Sequence, residues 1–226
     1  LHLSNNEYAL IHRLHALGKP IILVCAFNRP RLLEPIISKV SAIVYTYWCG
    51  DDGGRALADI LYGKVNPSGK LPFTYPRYAN ALLHYDRKHT EDLDTDFSMN
   101  AYKPLFDFGH GLSYSTFTYS TMQLSDTLLL PSDSIEVRIR VKNNSLLAGK
   151  EVVQLYYNDL VASITPSVKK LMAYEKIQFA PMEEKEVRFI CRASDFSFIN
   201  KNMERIVEPG FIELMIHENK QRIYVR

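Results

Sequence analysis

Asn66-Pro67-Ser68-Gly69-Lys70-Leu71-Pro72-Phe73-Thr74-Tyr75-Pro76 is the stretch at which the chain changes character. Before it, apolar runs alternate with helical patterns; after it and a polar loop come short alternating segments separated by turn signals. Its three prolines fix φ and withhold backbone donors, which excludes regular helix and leaves extended or edge-like backbone. A solvated linker needs no apolar pattern. Here Leu71, Phe73 and Tyr75 alternate, which predicts an extended segment packed like a strand. Two architectures are expected to meet at this point.

Upstream, Ser4 and Glu7 have the spacing of a capping box, with Leu3 and Tyr8 placed as a hydrophobic staple. Leu10, Ile11, Leu14 and Leu17 form an apolar stripe that ends at Gly18, so a helix is predicted. After Pro20, residues 21–26 form a continuous apolar run of the kind shown by a parallel strand covered on both faces. A short helix is expected over 32–37 and a second buried strand over 42–47. Trp48-Cys49-Gly50-Asp51-Asp52-Gly53-Gly54 then turns into a helix over about 55–62, closed by Gly63. This is βαβ logic.

The glycines before that helix invite a phosphate-binding reading, because a helix N-terminus presents free N–H groups. Asp51 and Asp52 would repel phosphate, and neither GxGxxG nor Gly-Lys-Ser/Thr spacing is present. One aspartate is expected to cap the helix while the glycines permit close packing. As an acid/base pair the two are poorly suited, since neighbours in sequence at a cap need not face one site. A glycosidase needs carboxyls about 5 to 9.5 Å apart across a sugar.

At 226 residues the chain suits one large or two ordinary domains, at about 150 residues each. No apolar run approaches the roughly 20 residues needed to cross a bilayer, so no membrane span is expected. The net charge of +2, with both signs interspersed, offers no concentrated basic patch, which argues against nucleic acid as a partner. Cys25, Cys49 and Cys191 are too few and too dispersed for a disulfide scaffold or a CxxC zinc site. His84, His89 and the acidic run Asp92-x-Asp94-x-Asp96 lie in an aperiodic polar loop. A calcium loop would need Gly where Phe97 stands and Glu where Lys103 stands, so neither a metal nor a cofactor is expected. The chain opens on Leu1 and enters a helix signal at once, which reads as a fragment.

Downstream, Ile135, Val137, Ile139 and Val141 alternate with Glu136, Arg138 and Arg140, a half-buried strand. Further strands are predicted over 152–157, 171–179, 186–191, 212–216 and 223–225, with turns at Asn143-Asn144-Ser145 and Glu208-Pro209-Gly210. Short strands at this spacing predict an immunoglobulin-like or fibronectin-like sandwich, without the Cys-Trp-Cys core of antibody domains. Asn143-Asn144-Ser145 also has the form of an N-glycosylation acceptor.

Four ordered blocks resemble the C-terminal part of glycoside hydrolase family 3, the β-glucosidases and β-xylosidases. They are Gly18-Lys19-Pro20-Ile21-Ile22-Leu23-Val24; the run from Gly53-Gly54-Arg55-Ala56-Leu57-Ala58-Asp59 through Asn66-Pro67-Ser68-Gly69-Lys70-Leu71-Pro72; Pro104-Leu105-Phe106-Asp107-Phe108-Gly109-His110-Gly111-Leu112-Ser113-Tyr114; and Ala148-Gly149-Lys150-Glu151-Val152-Val153-Gln154-Leu155-Tyr156. Trp48-Cys49-Gly50-Asp51-Asp52 departs from the Pro-Gly-Glu-Glu usual in the family.

The resemblance implies an α/β part, a partial and mostly parallel sheet with flanking helices over 1–76. A connecting loop over 77–113 and an all-β, fibronectin type III-like sandwich over 114–226 would follow. In such enzymes a barrel domain supplies an aspartate nucleophile, and the α/β-sandwich domain a glutamate acid/base just before an Asp-Arg pair. Both would precede Leu1, so no catalytic residue can be named in this chain. The implied partners are a β-linked oligosaccharide or glycoside and an N-terminal barrel domain. The implied compartment is the periplasm or the cell exterior.

Open α/β sheets bind ligands beyond the carboxyl ends of their strands, where Trp48, Asp51 and Asp52 would fall. An indole there can pack in the core or stack on a sugar, and the carboxylates can accept hydroxyl hydrogen bonds. The alternative function is a carbohydrate-binding or protein-interaction module using aromatics among Tyr45, Tyr47, Trp48, Phe106 and Phe108. A third is an independent enzyme built on Asp51 and Asp52.

Overall fold

The computed structural model describes residues 1–81, 84–88 and 103–226, and its first element is helix α1 (Asn5–Ala16). The capping box is complete: Glu7 N donates to Ser4 Oγ at 3.3 Å and Ser4 N donates to Glu7 Oε2 at 2.7 Å. Of the expected apolar stripe only Ile11 is buried, while Leu10, Leu14 and Leu17 face outward. Strands β1 (Ile22–Cys25) and β2 (Ala42–Tyr45) pair in parallel from Ile22 opposite Ala42 to Cys25 opposite Tyr45. Between them Pro35 sits at the start of a 3-10 segment, Glu34–Lys39, rather than a helix over 32–37. Helix α2 (Gly53–Leu61) follows β2 and ends at Gly63, whose φ of 76° lies in the left-handed region that glycine tolerates.

Two expectations change here. Among the described residues the mostly parallel sheet is reduced to these two strands, and the described chain is mostly β with few helices. β1 is covered on one face only: Cys25 is fully buried, whereas Ile22 and Val24 are 54% and 38% exposed.

The chain divides into two compact units, and the boundary cuts through the proline-rich stretch. The first unit takes in Leu1–Val65 and Leu71–His84 together with the described residues of Leu93–His110; its core gathers Leu3, Ile11, Cys25, Leu33, Ile36 and Tyr75. Tyr75 is 1% exposed and makes a single antiparallel bridge to Phe106, and Leu71 and Phe73 pack alongside. The alternation therefore packs as expected. A ladder does not grow, because Pro72 and Pro76 have no N–H to give.

The second unit holds Asn66–Lys70, the described residues of Tyr85–Asp92, and Gly111–Arg226. Its strands are β3 (Phe117–Tyr119), β4 (Gln123–Leu124), β5 (Leu128–Leu129), β6 (Ser134–Asn143), β7 (Gly149–Asp159), β8 (Lys170–Phe179), β9 (Glu184–Arg192), β10 (Phe198–Ile199), β11 (Arg205–Ile206), β12 (Gly210–Ile216) and β13 (Asn219–Val225). One sheet runs β5-β13-β12-β7-β8; in the other, β6 carries β9 along one edge and β3 and β4 along the other. Val137, Ile139, Val141, Val187 and Phe189 of the second sheet meet Val153, Leu155, Ile212, Leu214 and Ile223 of the first in a common core. The alternation read from the sequence is the alternation of burial along β6. Segments as short as β4, β5, β10 and β11 are too brief for a period to show.

Within this unit three of the four quoted sequence blocks converge on one clasp. Asn66 Nδ2 donates to Ser115 Oγ at 2.8 Å and to Ala148 O at 3.0 Å; Asn66 Oδ1 accepts from Ser113 Oγ and Tyr114 N, each at 2.8 Å. Lys70 Nζ lies 3.2 Å from Glu151 Oε1 and donates to Gly111 O at 2.8 Å. A Cβ on Gly111 would come within 2.0 Å of Gly69 O, so the two backbones touch only because this residue has no side chain.

Candidate functional site

The loop after β2 is built by a change of backbone conformation immediately beyond the parallel pair. Thr46 N donates to Cys25 O at 3.0 Å and continues the pairing by one residue. Tyr47 then enters the left-handed region with φ 55°, which costs a non-glycine residue about 1–3 kcal/mol. The turn places Trp48 in solvent at 75% exposure. Cys49 Sγ donates back to Thr46 O at 2.7 Å, and Gly50 takes φ 68°. Gly53 opens α2 where an added Cβ would lie 2.6 Å from Cys49 Cβ. Asp51 and Asp52 are both exposed.

The expectation that an aspartate side chain caps α2 fails. Asp52 holds the N-cap position with φ −82° and ψ 0°, but its carboxylate makes no capping hydrogen bond. Its carbonyl takes only the ordinary first intrahelical bond, accepting from Ala56 N at 3.0 Å. The backbone at Asp52 is not extended, so its side chain is not carried over the first helical N–H groups.

Beneath the loop lies Tyr45, whose ring meets Tyr47 edge-on at 4.5 Å and also contacts Phe27, Phe73 and Tyr75. Burial pushes the Tyr45 phenol up to about 12, with Tyr47 and Cys25 adding to it. Among the described residues its buried hydroxyl has no hydrogen-bond partner. Phe106 stacks on His110 at 5.0 Å and touches Tyr75. Of the five aromatics considered for sugar contact, Tyr45, Phe106 and Phe108 are thus at least half-buried; Tyr47 is partly exposed and Trp48 is open. Trp48, Asp51 and Asp52 lie together on one turn at the carboxyl end of β2.

Two other sequence signals have structural outcomes. Asn143 is fully buried; its amide donates to Leu147 O at 2.7 Å and Ala180 O at 3.0 Å, and its oxygen accepts from Ser145 N at 3.0 Å. That side chain is a turn-former closed to glycosylation in the folded chain. His89, Asp92, Asp94 and Asp96, the residues considered for calcium or a binding loop, lie outside the described residues. Among the described residues no helix is long and apolar enough to cross a membrane.

The profile of the glycosyl hydrolase family 3 C-terminal domain matches residues 1–114, and that of the fibronectin type III-like domain matches residues 151–220. The lysosomal beta glucosidase of Dictyostelium discoideum is 33% identical, across 100% of this chain and 28% of that protein. The periplasmic beta-glucosidase of Salmonella typhimurium is 34% identical, across 98% of this chain and 30% of that protein. Among solved structures, a β-glucosidase from Erythrobacter marinus matches with a TM-score of 0.93 at 33% identity, covering 100% of this chain and 31% of its own. A mutant β-glucosidase of Listeria innocua in complex with laminaribiose matches with a TM-score of 0.92 at 31% identity, covering 100% of this chain and 33% of its own. The chain therefore spans about a third of the length of each of these relatives.

Proposed function

The chain belongs to glycosyl hydrolase family 3, as the C-terminal region of its β-glucosidase-like members, and from that premise we propose that it is the non-catalytic part of a retaining β-glucosidase or β-xylosidase. The observation that carries this reading is coverage: relatives named as β-glucosidases match the whole chain with only about 30% of their own length. In this reading residues 1–76 are the end of an α/β-sandwich domain, 77–113 a connection and 114–226 the sandwich. The exposed apolar face of β1 supports it, since parallel strands are ordinarily covered on both sides. A barrel domain supplies the nucleophile that attacks the anomeric carbon, and a glutamate elsewhere in the longer polypeptide protonates the leaving oxygen.

The share of this chain in the reaction is positioning. Trp48 offers an open indole face to a sugar ring, and Asp51 and Asp52 offer acceptors to its hydroxyls. The backbone strain at Tyr47 that presents Trp48 fits a loop shaped for a ligand.

The isolated chain is expected to give no turnover of aryl β-glucosides or β-xylosides above background. Turnover abolished by Asp51→Asn or Asp52→Asn would overturn this and make the loop itself an active site. In the longer protein, Trp48→Ala should raise KM while leaving Tm nearly unchanged, because so exposed a side chain carries little packing energy. An unchanged KM would remove Trp48 from the substrate path.

A further inference from the structure

We infer that the sandwich unit carries a shallow binding site for a neutral saccharide, at the cavity lined by Lys88, Tyr157, Asp159, Ser167, Lys170 and Phe198. This site is built without the loop after β2 and stands or falls separately from the cleft reading. The end of β7 brings Tyr157 and Asp159, the start of β8 brings Lys170, and β10 brings Phe198. Lys88 arrives on a short strap: it forms an antiparallel bridge with Ser167, Val168 N donates to Arg87 O at 2.8 Å, and Lys88 Nζ donates to Thr165 O at 2.7 Å. Phe196 buttresses the wall, edge-on to Tyr157 at 5.2 Å.

Size and charge choose the ligand. The cavity is about 50 Å³; at roughly 10–15 Å³ per water-sized probe it admits a few waters' worth of ligand, one edge of a ring rather than a buried oligosaccharide. It is lined by the Lys170 ammonium and the Asp159 carboxylate, and by the Lys88 ammonium, which already donates to Thr165 O and Ser167 Oγ. An anion would be pressed against Asp159, and a cation against Lys170. A neutral polyol can accept from the Lys170 ammonium and donate to the Asp159 carboxylate, while its C–H face lies on Tyr157 and Phe198. Asp159 has capacity to spare: among the described residues it accepts one hydrogen bond, from Val161 N at 3.2 Å. Burial holds its carboxyl above the usual range against that hydrogen bond, and Glu208 adds to the rise, so a donating hydroxyl would be well placed there.

The test is titration of the isotope-labelled 226-residue chain with cellobiose, followed by amide NMR. Saturable shifts are expected at Tyr157, Asp159, Lys170 and Phe198, with Kd on the order of 10 mM, as a site this small implies. Asp159→Asn, which keeps an acceptor for Val161 N, should weaken binding roughly tenfold by removing a charge-assisted hydrogen bond. Phe198→Leu should weaken it through the lost ring face while the remaining spectrum stays folded. Absence of saturable shifts at these amides overturns the inference, as does equal binding by the parent and both folded variants. A larger response of the same amides to inorganic phosphate than to cellobiose overturns it in favour of an anion.

Discussion

Glu151 is 8% exposed in β7 and takes two partners at 3.2 Å, the Lys70 ammonium and the Tyr119 hydroxyl. Removing its charge leaves the Lys70 ammonium, itself 18% exposed, without its counter-ion. Glu151→Gln is therefore expected to destabilise the sandwich unit by about 3 kcal/mol, the scale on which breaking one side of a buried pair acts. Tyr119→Phe, which removes one neutral donor, should cost about 1 kcal/mol. Urea unfolding followed through the sandwich amides measures both, and an unchanged midpoint for Glu151→Gln would show that the pair is solvated. Lys70, Gly111, Ser113 and Glu151 were legible in the sequence as members of distinctive blocks, but their meeting was not. Asn66 lies 82 residues from the Ala148 carbonyl to which its amide donates, and no local periodicity reports a contact of that separation. The same limit applies to Trp48: its residue type is visible in the sequence, while its exposure depends on a backbone turn at Tyr47.

β1 and β2 form a two-stranded parallel pair with Ile22 and Val24 exposed, whereas β6 is paired along both edges and buries Ile135, Val137, Ile139 and Val141. Opening free energy follows burial and pairing, so the two elements should differ widely in protection. Hydrogen exchange of the chain is expected to be faster over Ile22–Cys25 than over residues 135–141. Greater protection of β1 than of β6 would overturn the view of β1 and β2 as a sparsely covered pair. At this scale the sequence spoke clearly wherever a period had room to repeat. α1 announced its start through Ser4 and Glu7, and β6 its face through alternation. The apolar run that became β1 indicated a strand without indicating how many neighbours would cover it, because coverage belongs to the partner surface and not to the strand.

Each unit buries one cysteine completely, and the pair couples stability to alkaline pH. Burial pushes the Cys25 thiol from its ordinary 9.0 up to about 11 and the Cys191 thiol up to about 12, Asp195 adding to the latter. A raised folded pKa means that the native chain keeps a proton that the unfolded chain loses above about 9. The thiol contribution is thus fully present below pH 9 and is lost as pH rises through 11 and 12. Tm should be flat on the neutral side of 9 and fall beyond it, and Cys25→Ser with Cys191→Ala should make that fall shallower. An identical alkaline slope in the double variant would assign the loss to the buried tyrosines, among them Tyr119, whose phenol is pushed up by burial and Glu151. For the molecule as a whole, the sequence by itself determined what short-range physics carries: the capping box of α1, the strand alternation of the sandwich, the turn residues, the change of architecture near Asn66, and the ordered blocks that resemble glycoside hydrolase family 3. Tertiary structure alone decided that the proline-rich stretch is shared between two units, that the signature residues form a clasp, that Asn143 is buried and that Trp48 is open. Caps and periods act between residues a few positions apart, whereas burial and clasping depend on surfaces brought together from distant parts of the chain.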